Sequence, residues 1–537
     1  MHCSAVIQPS SSIAEASFTP DLMIAVDNMT SPNDVETVHN AESPVESAPY
    51  SVLSPNRKRG LVYLLAYLSL ASSLTATIYF PLIDMLAELY QTSIQNVNLT
   101  ITVYLVVQGI SPSFWAPLAE TLGRRPVFLL TFLLYTLASL GLALSAPSRS
   151  YLALIILRGV QSAGGSVVLA LAYAVVADVV VHAERGKYLG PMLAAANLGP
   201  CFGPIIGGAA ILSTCNPAWC FWVLFIFGLS AFSLVGFFLP ETLRSIAGNG
   251  SIHTHSIWNT WAVGLDGVFT KFRNRRGGHT QQICKCSSEA GPLGFQDGKW
   301  SLPNPVSSIR CILHWDTFII LWLAASPYAL WYAMQSSIPL IYGTQYGFNH
   351  LTVGFSYLAG GGGVIMGALS AGRLMDWNYR HVAKSHGLAI DNMVAGDLAA
   401  FPIMLARSRG SVLILSISCI VVVGWAWSFE LQVHPSVPLI LQAYVGWKVT
   451  VLHQFFSALI VDLYPLETAP AAAANNITRC TLSAIAVATL EPLAVSLGRA
   501  WSFTIFGLID GLGCIVLVVA LRRWGTGWRD RREASSH

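Results

Sequence analysis

The sequence has little charge. Only 11% of its 537 residues are Asp, Glu, Lys or Arg, whereas about 25% is typical of a soluble globular domain. Hydrophobic residues account for 54% of the chain, and the mean hydropathy is +0.56. This composition excludes an ordinary soluble domain and predicts an integral membrane protein.

Several signatures of enzymes and cofactor sites are also missing. The chain contains no P-loop, no HExxH and no G-x-S-x-G sequence, so an ATP-driven pump is disfavoured and an enzyme is not predicted. Its ten cysteines include no CxxC pair and no Cys/His cluster with zinc spacing, so neither a metal nor another cofactor is predicted. No nucleic-acid partner is predicted either.

Twelve apolar runs of about 20 residues are long enough to cross a membrane as helices. They form two groups of six. The first group lies at about 61–83, 99–119, 126–146, 151–177, 188–212 and 218–239, and the second at about 316–342, 352–375, 411–431, 437–462, 470–496 and 501–521. The sequence therefore predicts an all-α membrane protein with one six-helix bundle at 57–239 and another at 313–522.

The residues outside the two bundles predict the orientation in the membrane. Lys and Arg concentrate in the tails and in the loops after even-numbered helices, and only Arg149 and Arg499 lie in loops after odd-numbered ones. By the positive-inside rule, both termini and the central loop 240–312 are expected in the cytoplasm. Residues 1–56 have the composition of a disordered tail without a cleaved-signal pattern, so the first helix is expected to direct insertion. Residues 523–537 form the second cytoplasmic tail.

A run of glycines and prolines, N-L-G-P-C-F-G-P-I-I-G-G, lies at 197–208 within the fifth apolar run. Glycines four residues apart share one helix face and let a neighbouring helix approach closely, while each proline removes a backbone N–H and bends the helix. The run is either a tight packing seam or a bent element with a specific task. Its key residues are Gly199, Pro200, Gly203, Pro204, Gly207 and Gly208.

This run resembles the antiporter signature G-P-x-x-G-P-x-x-G-G on the fifth helix of the major facilitator superfamily. In that superfamily the signature marks proton-driven drug exporters, as opposed to importers and uniporters. The resemblance implies a major facilitator fold, with the two six-helix bundles arranged around a central cavity.

A short turn between the second and third helices holds Glu120, Arg124 and Arg125. A carboxylate and guanidinium groups held this close can form charge-assisted pairs, and such a latch would bias the inward-open or the outward-open state. The alternative is a basic cluster that sets topology, with an incidental acid. The turn resembles the superfamily motif G-x-x-x-D-R-x-G-R-R, with Glu120 in place of the aspartate and Thr121 in place of a basic residue.

We call the cytoplasmic ends of the helices around this latch the inner gate. Two further segments are expected there. The end of the fourth helix resembles the superfamily segment A-D-x-x-x-x-x-E-R-G and supplies Asp178, Glu184 and Arg185, although a solvated helix end has the same residue types. The loop after the eighth helix carries Asp376 and Arg380 beside a glycine, much as the loop after the second helix does. This faint repeat supports two related halves.

Arg158 lies several residues inside the fourth spanning helix. An unpaired charge there costs about 2.5 kcal/mol or more, so Arg158 is expected to face a polar cavity. Residues Leu157–Gly165 resemble the superfamily's helix 4 motif, whose arginine is tied to proton transfer. The first helix has no acid before Asp84 at its outer end, so Gln108 is a possible substitute partner for Arg158.

The second half has its own ionisable residues within apolar runs, at Lys448, His453, Arg479, Glu491 and Asp510. Acids and histidines inside membranes often belong to proton relays, so Asp510, Glu491 and His453 join Arg158 as proton-coupling candidates. Lys448 and Asp510 could equally form a static ion pair that satisfies both charges. Arg158 and Lys448 in one central cavity would favour an anionic substrate.

Aromatic and polar residues on several helices would suit a partly apolar small molecule, although each is also compatible with simple packing. The substrate-cavity candidates are Tyr79, Tyr104, Gln108, Tyr332, Gln335, Lys448, Asn475 and Asn476.

Three segments carry a narrower resemblance. The sequences L-P-E-T-L-R at 239–244, V-D-L-Y-P at 461–465 and A-N-N-I-T-R-C at 474–480 resemble fungal twelve-spanner drug:proton antiporters, particularly the quinidine-resistance and polyamine-exporter branch. The match covers about residues 57–522. It implies residence in the plasma membrane and efflux of a small molecule driven by the proton gradient, with protons and the lipid bilayer as the other partners. A monomer is expected.

Two other functions stay open from the sequence. An importer or facilitator of a small organic solute could use the same fold, although the glycine–proline run argues against it. A non-transporting membrane sensor is less well supported, because such proteins typically enlarge a cytoplasmic signalling region and neither tail resembles a folded domain.

Overall fold

The computed structural model describes residues 51–181, 184–212, 216–249, 256–262, 311–385, 402–464 and 468–536. Within these ranges, twelve helices are long and apolar enough to cross a membrane. They are α1 (Pro55–Leu89), α2 (Ile94–Thr121), α3 (Arg124–Ser148), α4 (Tyr151–Val179), α5 (Arg185–Ile211), α6 (Trp219–Phe238), α7 (Trp315–Tyr346), α8 (His350–Ser385), α9 (Ile403–Glu430), α10 (Ser436–Leu463), α11 (Pro470–Leu497) and α12 (Arg499–Arg529). The prediction of an all-α membrane protein with twelve spans is confirmed.

Several helices are longer than the apolar runs that predicted them. α2 begins before residue 99 because the Ser93 hydroxyl accepts a hydrogen bond from the Asn96 N–H (3.2 Å) and caps its first turn. α8 continues past residue 375 to Ser385. The period of apolar residues therefore locates the membrane-embedded part of a helix, whereas capping and solvent-exposed turns decide where the helix ends.

The two halves repeat the same helix packing. In the first half, α5 packs on α1, α4 packs on α2, and α3 packs on both α4 and α6. Each pair recurs six helices later, since α11 packs on α7, α10 packs on α8, and α9 packs on both α10 and α12. This repeat indicates two six-helix bundles of the same architecture.

Two helix pairs, α2 with α11 and α5 with α8, form the interface between the bundles. Because each bundle has an even number of spans, α1 begins and α12 ends on the same side, which we call the terminal face; the other side is the opposite face. Gln95 donates to the Ala488 carbonyl (2.8 Å) and Asn476 to the Gln108 carbonyl (3.1 Å). The Gln95 contact lies near the opposite face and the Asn476 contact lies near the middle of α2, so the cleft between the bundles is closed at the opposite face.

Parts of the predicted domain plan lie outside the described residues. These parts are residues 1–50 of the predicted N-terminal tail, and residues 250–255 and 263–310 of the central loop. In the predicted C-terminal tail, the helix that includes α12 continues to Ser536.

Candidate transport site and its gates

The glycine face of α5 packs directly against α1. Cβ atoms added at Gly199, Gly203 and Gly207 would overlap α1. The α1 residues that they would meet are Ser73, Thr77 and Ile78. Thr77 also donates a hydrogen bond across the seam to the Gly199 carbonyl (2.9 Å). The two backbones can lie this close only because α5 has no side chains on this face.

The other side of α5 meets the second bundle. A Cβ atom at Gly208 would lie 2.5 Å from the His350 carbonyl oxygen, and one at Gly354 of α8 would lie 2.8 Å from the Pro204 carbonyl oxygen. The glycine–proline run therefore contacts α1 of its own bundle and α8 of the other. A change in the bend of α5 would be transmitted to the bundle interface.

Arg158 is fully buried in the first bundle between two tyrosine rings. Its guanidinium carbon lies 4.5 Å from the centre of the Tyr79 ring and 4.6 Å from that of Tyr104. Its Nη1 donates to Gln161 Oε1 (2.9 Å) and to the Thr75 carbonyl (3.4 Å). In the described part of the chain, its Nε and Nη2 have no hydrogen-bond partner, and no carboxylate oxygen lies within 4.0 Å. Ring faces and neutral oxygens, rather than an anion, stabilise this cation.

Gln108 is not the partner of Arg158. Its amide nitrogen donates to Ser72 Oγ (3.0 Å), and its Oε1 is buried without a hydrogen-bond partner among the described residues. The amide beside Arg158 belongs to Gln161, which is held in turn by its own hydrogen bond to Ser139 Oγ (2.8 Å). The i, i+3 spacing of Arg158 and Gln161 on one helix face is the sequence signal for this contact.

Lys448 and Asp510 form an ion pair inside the second bundle. Their side chains are 0% and 3% exposed, and Ser326 Oγ donates to the second carboxylate oxygen of Asp510 (3.1 Å). Asp510 lies in a π-helical turn, Ile509–Gly513, in the middle of α12, and such turns are frequent at functional sites. The sequence suggested that Lys448 and Arg158 together attract an anion. Asp510 already neutralises Lys448, so this lysine does not fit that role.

His453 lies on α10, between Lys448 and the terminal face. Its Nδ1 is 3.1 Å from the Ala324 carbonyl oxygen, and its ring is edge-on to that of Tyr328, with centroids 4.8 Å apart. Its Nε2 is 3.4 Å from Ser457 Oγ, which accepts a hydrogen bond from Asn475 (2.9 Å). These polar contacts join α7, α10 and α11.

Arg479 on α11 is a cation for which the sequence suggested no role. Its guanidinium carbon lies 5.0 Å from the centre of the Tyr328 ring, and its Nη2 donates to Asn476 Oδ1 (2.8 Å). It lies close to Tyr332, and Tyr332 in turn lies close to Tyr104 of the first bundle. Each bundle therefore brings one arginine, packed against tyrosine, toward the interface.

Several cavity candidates carry buried polar atoms without a hydrogen-bond partner among the described residues. These atoms are both side-chain amide atoms of Gln335, Oε1 of Gln108 and Oδ1 of Asn475. Buried polar groups are normally bonded to protein or water, so each of these atoms is suited to contact a polar molecule. Asn476 has a different position, since its amide bond to the Gln108 carbonyl joins α11 to α2.

An ion pair at the terminal face of the first bundle joins Arg124 to Asp178, with Nε 3.2 Å from Oδ2. It connects the start of α3 to the end of α4. The expected latch used Glu120, but that residue is exposed and forms no ion pair within the described part of the chain. The predicted partner of Arg124, Glu120, is therefore wrong. Asp178 reaches Arg124 from the neighbouring helix, whereas Glu120 is exposed to solvent.

Arg125 and Glu241 tie α3 to the end of α6. Arg125 is buried, and it donates to the carbonyls of Leu239 (2.9 Å) and Gly236 (2.8 Å) rather than to Glu120. Glu241 accepts hydrogen bonds from the backbone N–H groups of Arg124 (2.9 Å) and Arg125 (3.1 Å). A carboxylate at a helix N-terminus is favoured by the helix dipole. The sequence patterns did not predict this cap, although Glu241 lies in the P-E-T sequence that follows α6.

The second bundle has an equivalent ion pair between Arg407 and Asp462, at 2.8 Å. Arg407 lies near the start of α9 and Asp462 at the end of α10, which is the position of the first-bundle pair six helices later. The predicted gate residues Asp376 and Arg380 are exposed on α8 and form no ion pair among the described residues. The repeated helix packing of the two bundles identifies Arg407–Asp462 as the counterpart of Arg124–Asp178. The resemblance between the loops after the second and eighth helices does not.

Glu184 and Arg185 lie at the start of α5. Glu184 is exposed, whereas Arg185 donates to the carbonyls of Ala177 (3.1 Å) and Val180 (3.4 Å) at the end of α4. A cation at a helix C-terminus bonds carbonyls that have no helical partner, so Arg185 holds the turn between α4 and α5.

Charged residues also meet at the opposite face. Glu491 Oε1 lies 3.5 Å from Arg499 Nη2, and both line a small pocket with Asp84 of α1. Asp84 interacts electrostatically with His350 of α8. Glu491, one of the proton-coupling candidates, therefore belongs to the closed side of the bundle interface and not to the interior around Asp510.

Comparisons with known proteins agree with this architecture. A sequence model of the Major Facilitator Superfamily matches residues 65–429. The chain is 35% identical over 492 residues to "MFS-type transporter phiD" of Fungal sp. (strain ATCC 74256), which covers 91% of this chain and 71% of that protein. It is 32% identical over 495 residues to "Citrate exporter 1" of Aspergillus niger, covering 91% of this chain and 90% of that protein. The crystal structure of a D-xylose-proton symporter superposes with a TM-score of 0.58 at 12% identity, covering 86% of this chain and 97% of that one.

Two packed six-helix bundles with buried charges beside their interface define a multi-pass membrane transporter of small molecules, not an enzyme. The chain belongs to the Major Facilitator Superfamily, and relatives that match it along most of its length are fungal transporters.

Proposed function

We propose that the protein is a proton-coupled exporter of small organic molecules that works by alternating access. In this cycle the bundles rock about the α2–α11 and α5–α8 contacts, so that the cleft opens to each membrane face in turn. The state closed at the opposite face is the one in which cargo loads from the terminal face. The proton gradient supplies the energy, without a cofactor.

The observation that carries this proposal is the buried Lys448–Asp510 ion pair. Each charge needs the other, because an uncompensated charge at this depth costs about 2.5 kcal/mol or more. Protonation of Asp510 would remove its charge, release Lys448 and alter how the π-helical turn of α12 packs on α10. A proton that arrives at Asp510 would thereby change the conformation of the second bundle, as coupling requires.

The relatives and the motif support the direction of transport and the kind of cargo. One relative is named "Citrate exporter 1", and the α5 run resembles the antiporter signature. We infer that the cargo is an organic acid, a drug or a fungal secondary metabolite. Arg124, Arg125 and Arg407 at the terminal face support a cytoplasmic position for that face. We place the transporter in the plasma membrane, as a monomer with both termini in the cytoplasm.

The test uses purified protein in liposomes that enclose a pH-sensitive dye. A pH gradient is imposed, and citrate, a neutral drug and a cationic drug are added to separate samples. Collapse of the gradient that depends on one of these molecules supports antiport. Flux of the molecule without any proton movement would overturn the coupling and indicate a facilitator.

The variant Asp510→Asn tests the assigned proton carrier in the same liposomes. It should abolish collapse of the gradient while exchange of cargo across equal pH continues. Asp376→Asn is the matched control, since it makes the same chemical change at an exposed residue of α8 that has no ion pair among the described residues, and it should keep the coupling. An Asp510→Asn protein that couples as the wild type does would remove Asp510 from the mechanism.

A further inference from the structure

We propose that Arg479 binds a carboxylate group of the transported molecule, and that the cargo is therefore an organic anion. Arg158 of the first bundle adds a fixed positive charge from behind the Tyr104 ring. The inference rests on the proposed function in one respect, that a small molecule occupies the cleft between the bundles.

The distribution of opposite charges singles out these two arginines. Arg158, Lys448 and Arg479 lie deep within the spans, and Asp510 neutralises Lys448. Within the described residues, no carboxylate oxygen lies within 4.0 Å of Arg158 or Arg479. Charged side chains in spanning helices are costly and generally face a partner or a polar pathway. An anionic cargo would supply the missing negative charge to both arginines.

The surroundings of Arg479 orient its guanidinium and leave donors for a ligand. Tyr328 covers one face of the group, at 5.0 Å from the guanidinium carbon to the ring centre. One amino group donates to Asn476 Oδ1 (2.8 Å). An arginine has five N–H donors, and the planar fork of a guanidinium matches a carboxylate with two parallel hydrogen bonds. The site is thus pre-oriented for bidentate binding.

The position of Arg479 is suited to couple cargo binding to movement of the bundles. Its partner Asn476 donates from Nδ2 to the Gln108 carbonyl (3.1 Å) and the Gly109 carbonyl (3.2 Å) of α2. A carboxylate that draws the Arg479 guanidinium toward itself would disturb the Asn476 side chain, which holds α11 on α2. Cargo binding is therefore linked through one side chain to an interface contact.

Residues of α7 and α11 carry the remaining polar groups of the proposed site. Gln335 on α7 is 1% exposed, and both its amide atoms are without hydrogen-bond partners among the described residues. The Oδ1 atom of Asn475 is also buried and unpartnered there. These groups can bond hydroxyl or carbonyl groups of the cargo, while Tyr332 and Tyr104 offer apolar surface between the arginines. The site fits a polar carboxylic acid better than a purely hydrophobic cation.

The experiment measures binding to the full-length protein in lipid nanodiscs. The probes are citrate, succinate and benzoate, each compared with its uncharged methyl ester. Arg479→Gln should raise the Kd of the carboxylate probe that binds wild type by about tenfold or more, since a hydrogen bond to a charged group is lost. Arg479→Lys should have an intermediate affinity, because an ammonium keeps the charge but loses the fork.

A control and a second readout separate binding from folding. Arg409→Gln removes an arginine that lies over Trp377 (5.6 Å) near the terminal face, and it should leave the carboxylate Kd unchanged. If Arg479 had only a structural role, Arg479→Gln would weaken the acid and its ester equally, and this result would overturn the proposal. Failure of all three carboxylates to bind the wild type, while a cationic drug binds, would also overturn it.

The outcomes distinguish this inference from the proposed function. Carboxylate binding that depends on Arg479, without proton movement in liposomes, supports the inference and rejects proton coupling. Collapse of the pH gradient driven only by a cationic drug supports coupling and rejects an anionic cargo.

Discussion

The two halves of the protein each bury a cation, and they stabilise it differently. Arg158 of the first bundle lies between the rings of Tyr79 and Tyr104, whereas Lys448 of the second bundle pairs with Asp510. Both cationic side chains are 0% exposed, so depth does not explain the difference. A guanidinium is planar and weakly hydrated and stacks on aromatic rings, while an ammonium is a compact, strongly hydrated charge that requires an anion.

Under the proposed function, this difference separates a permanent charge from one that changes during transport. Arg158 stays protonated at any physiological pH, so its field at the interface is constant. Under the proposed function, a proton delivered to Asp510 would change the charge of the Lys448–Asp510 pair. In that proposal the first half attracts an anion at all times, and the second half responds to the proton gradient.

At the membrane surface the two halves are alike. Arg124–Asp178 and Arg407–Asp462 are ion pairs at equivalent places in the two bundles. The two halves therefore share their ion pairs at the terminal face and differ in how they stabilise the buried cations of the interior.

The largest effect is expected from removing the lysine of the second half. Lys448→Met leaves the Asp510 carboxylate buried without its partner, and loss of one member of a buried pair costs about 3–5 kcal/mol. The free energy of unfolding, measured by chemical denaturation in detergent, should fall by that amount. Lys448→Met/Asp510→Leu should recover most of the stability but not proton coupling. A stable single variant would show that water reaches the pair.

A smaller effect is expected at the glycine seam, which has no counterpart in the second half because α11 contains no glycine. Gly203→Ala places a methyl group against Thr77 of α1, and overpacking of this kind costs about 1–3 kcal/mol. The melting temperature in detergent should fall accordingly. Gly190→Ala on the same helix, where a Cβ meets nothing within 4 Å, is the control. Equal melting temperatures for the two variants would contradict the close α1–α5 contact.

The aromatic enclosure of Arg158 should contribute less. Tyr104→Leu removes one of its two rings, and a desolvated cation–π contact is worth up to about 2 kcal/mol. Tyr104→Phe keeps the ring and loses only the hydroxyl bond to the Ser72 carbonyl (3.1 Å), so it should retain most of the stability in the same unfolding assay. If the phenylalanine variant were as unstable as the leucine variant, the ring face would not be what holds Arg158.

The smallest effects are expected at the paired surface sites. Asp178→Asn and Asp462→Asn each weaken one ion pair near the terminal face, where such pairs are worth about 1 kcal/mol or less. Asp178 should show the larger loss, because its side chain is 14% exposed and that of Asp462 is 25% exposed. Thermal unfolding of both variants side by side checks the order. A reversed order would mean that the two halves differ at the surface as well.

Some of the site could be predicted from residue types, and some could not. Arg158 and Asp510 stand out in the sequence because a charge within an apolar run is energetically costly. The sequence also predicts the Lys448–Asp510 pair as an alternative to a proton relay at Asp510. The partners of Arg124 and Arg125 could not be predicted, since each guanidinium has several oxygens within reach along the chain. Arg407–Asp462 and the Glu241 cap join residues far apart in sequence. The resemblance between two loops had instead suggested Asp376 and Arg380.

The sequence by itself determined that this protein lies in the membrane, that it has twelve spans in two groups of six, and that α5 carries a bare glycine face. These properties follow from local composition and spacing, because apolar length and helical period act within one segment. Only the tertiary structure decided which charged side chains form ion pairs and which cations pack against aromatic rings. A buried ion pair or a cation between rings depends on how separate helices bring their side chains together, and its energy is set by the low dielectric that the packed bundle creates.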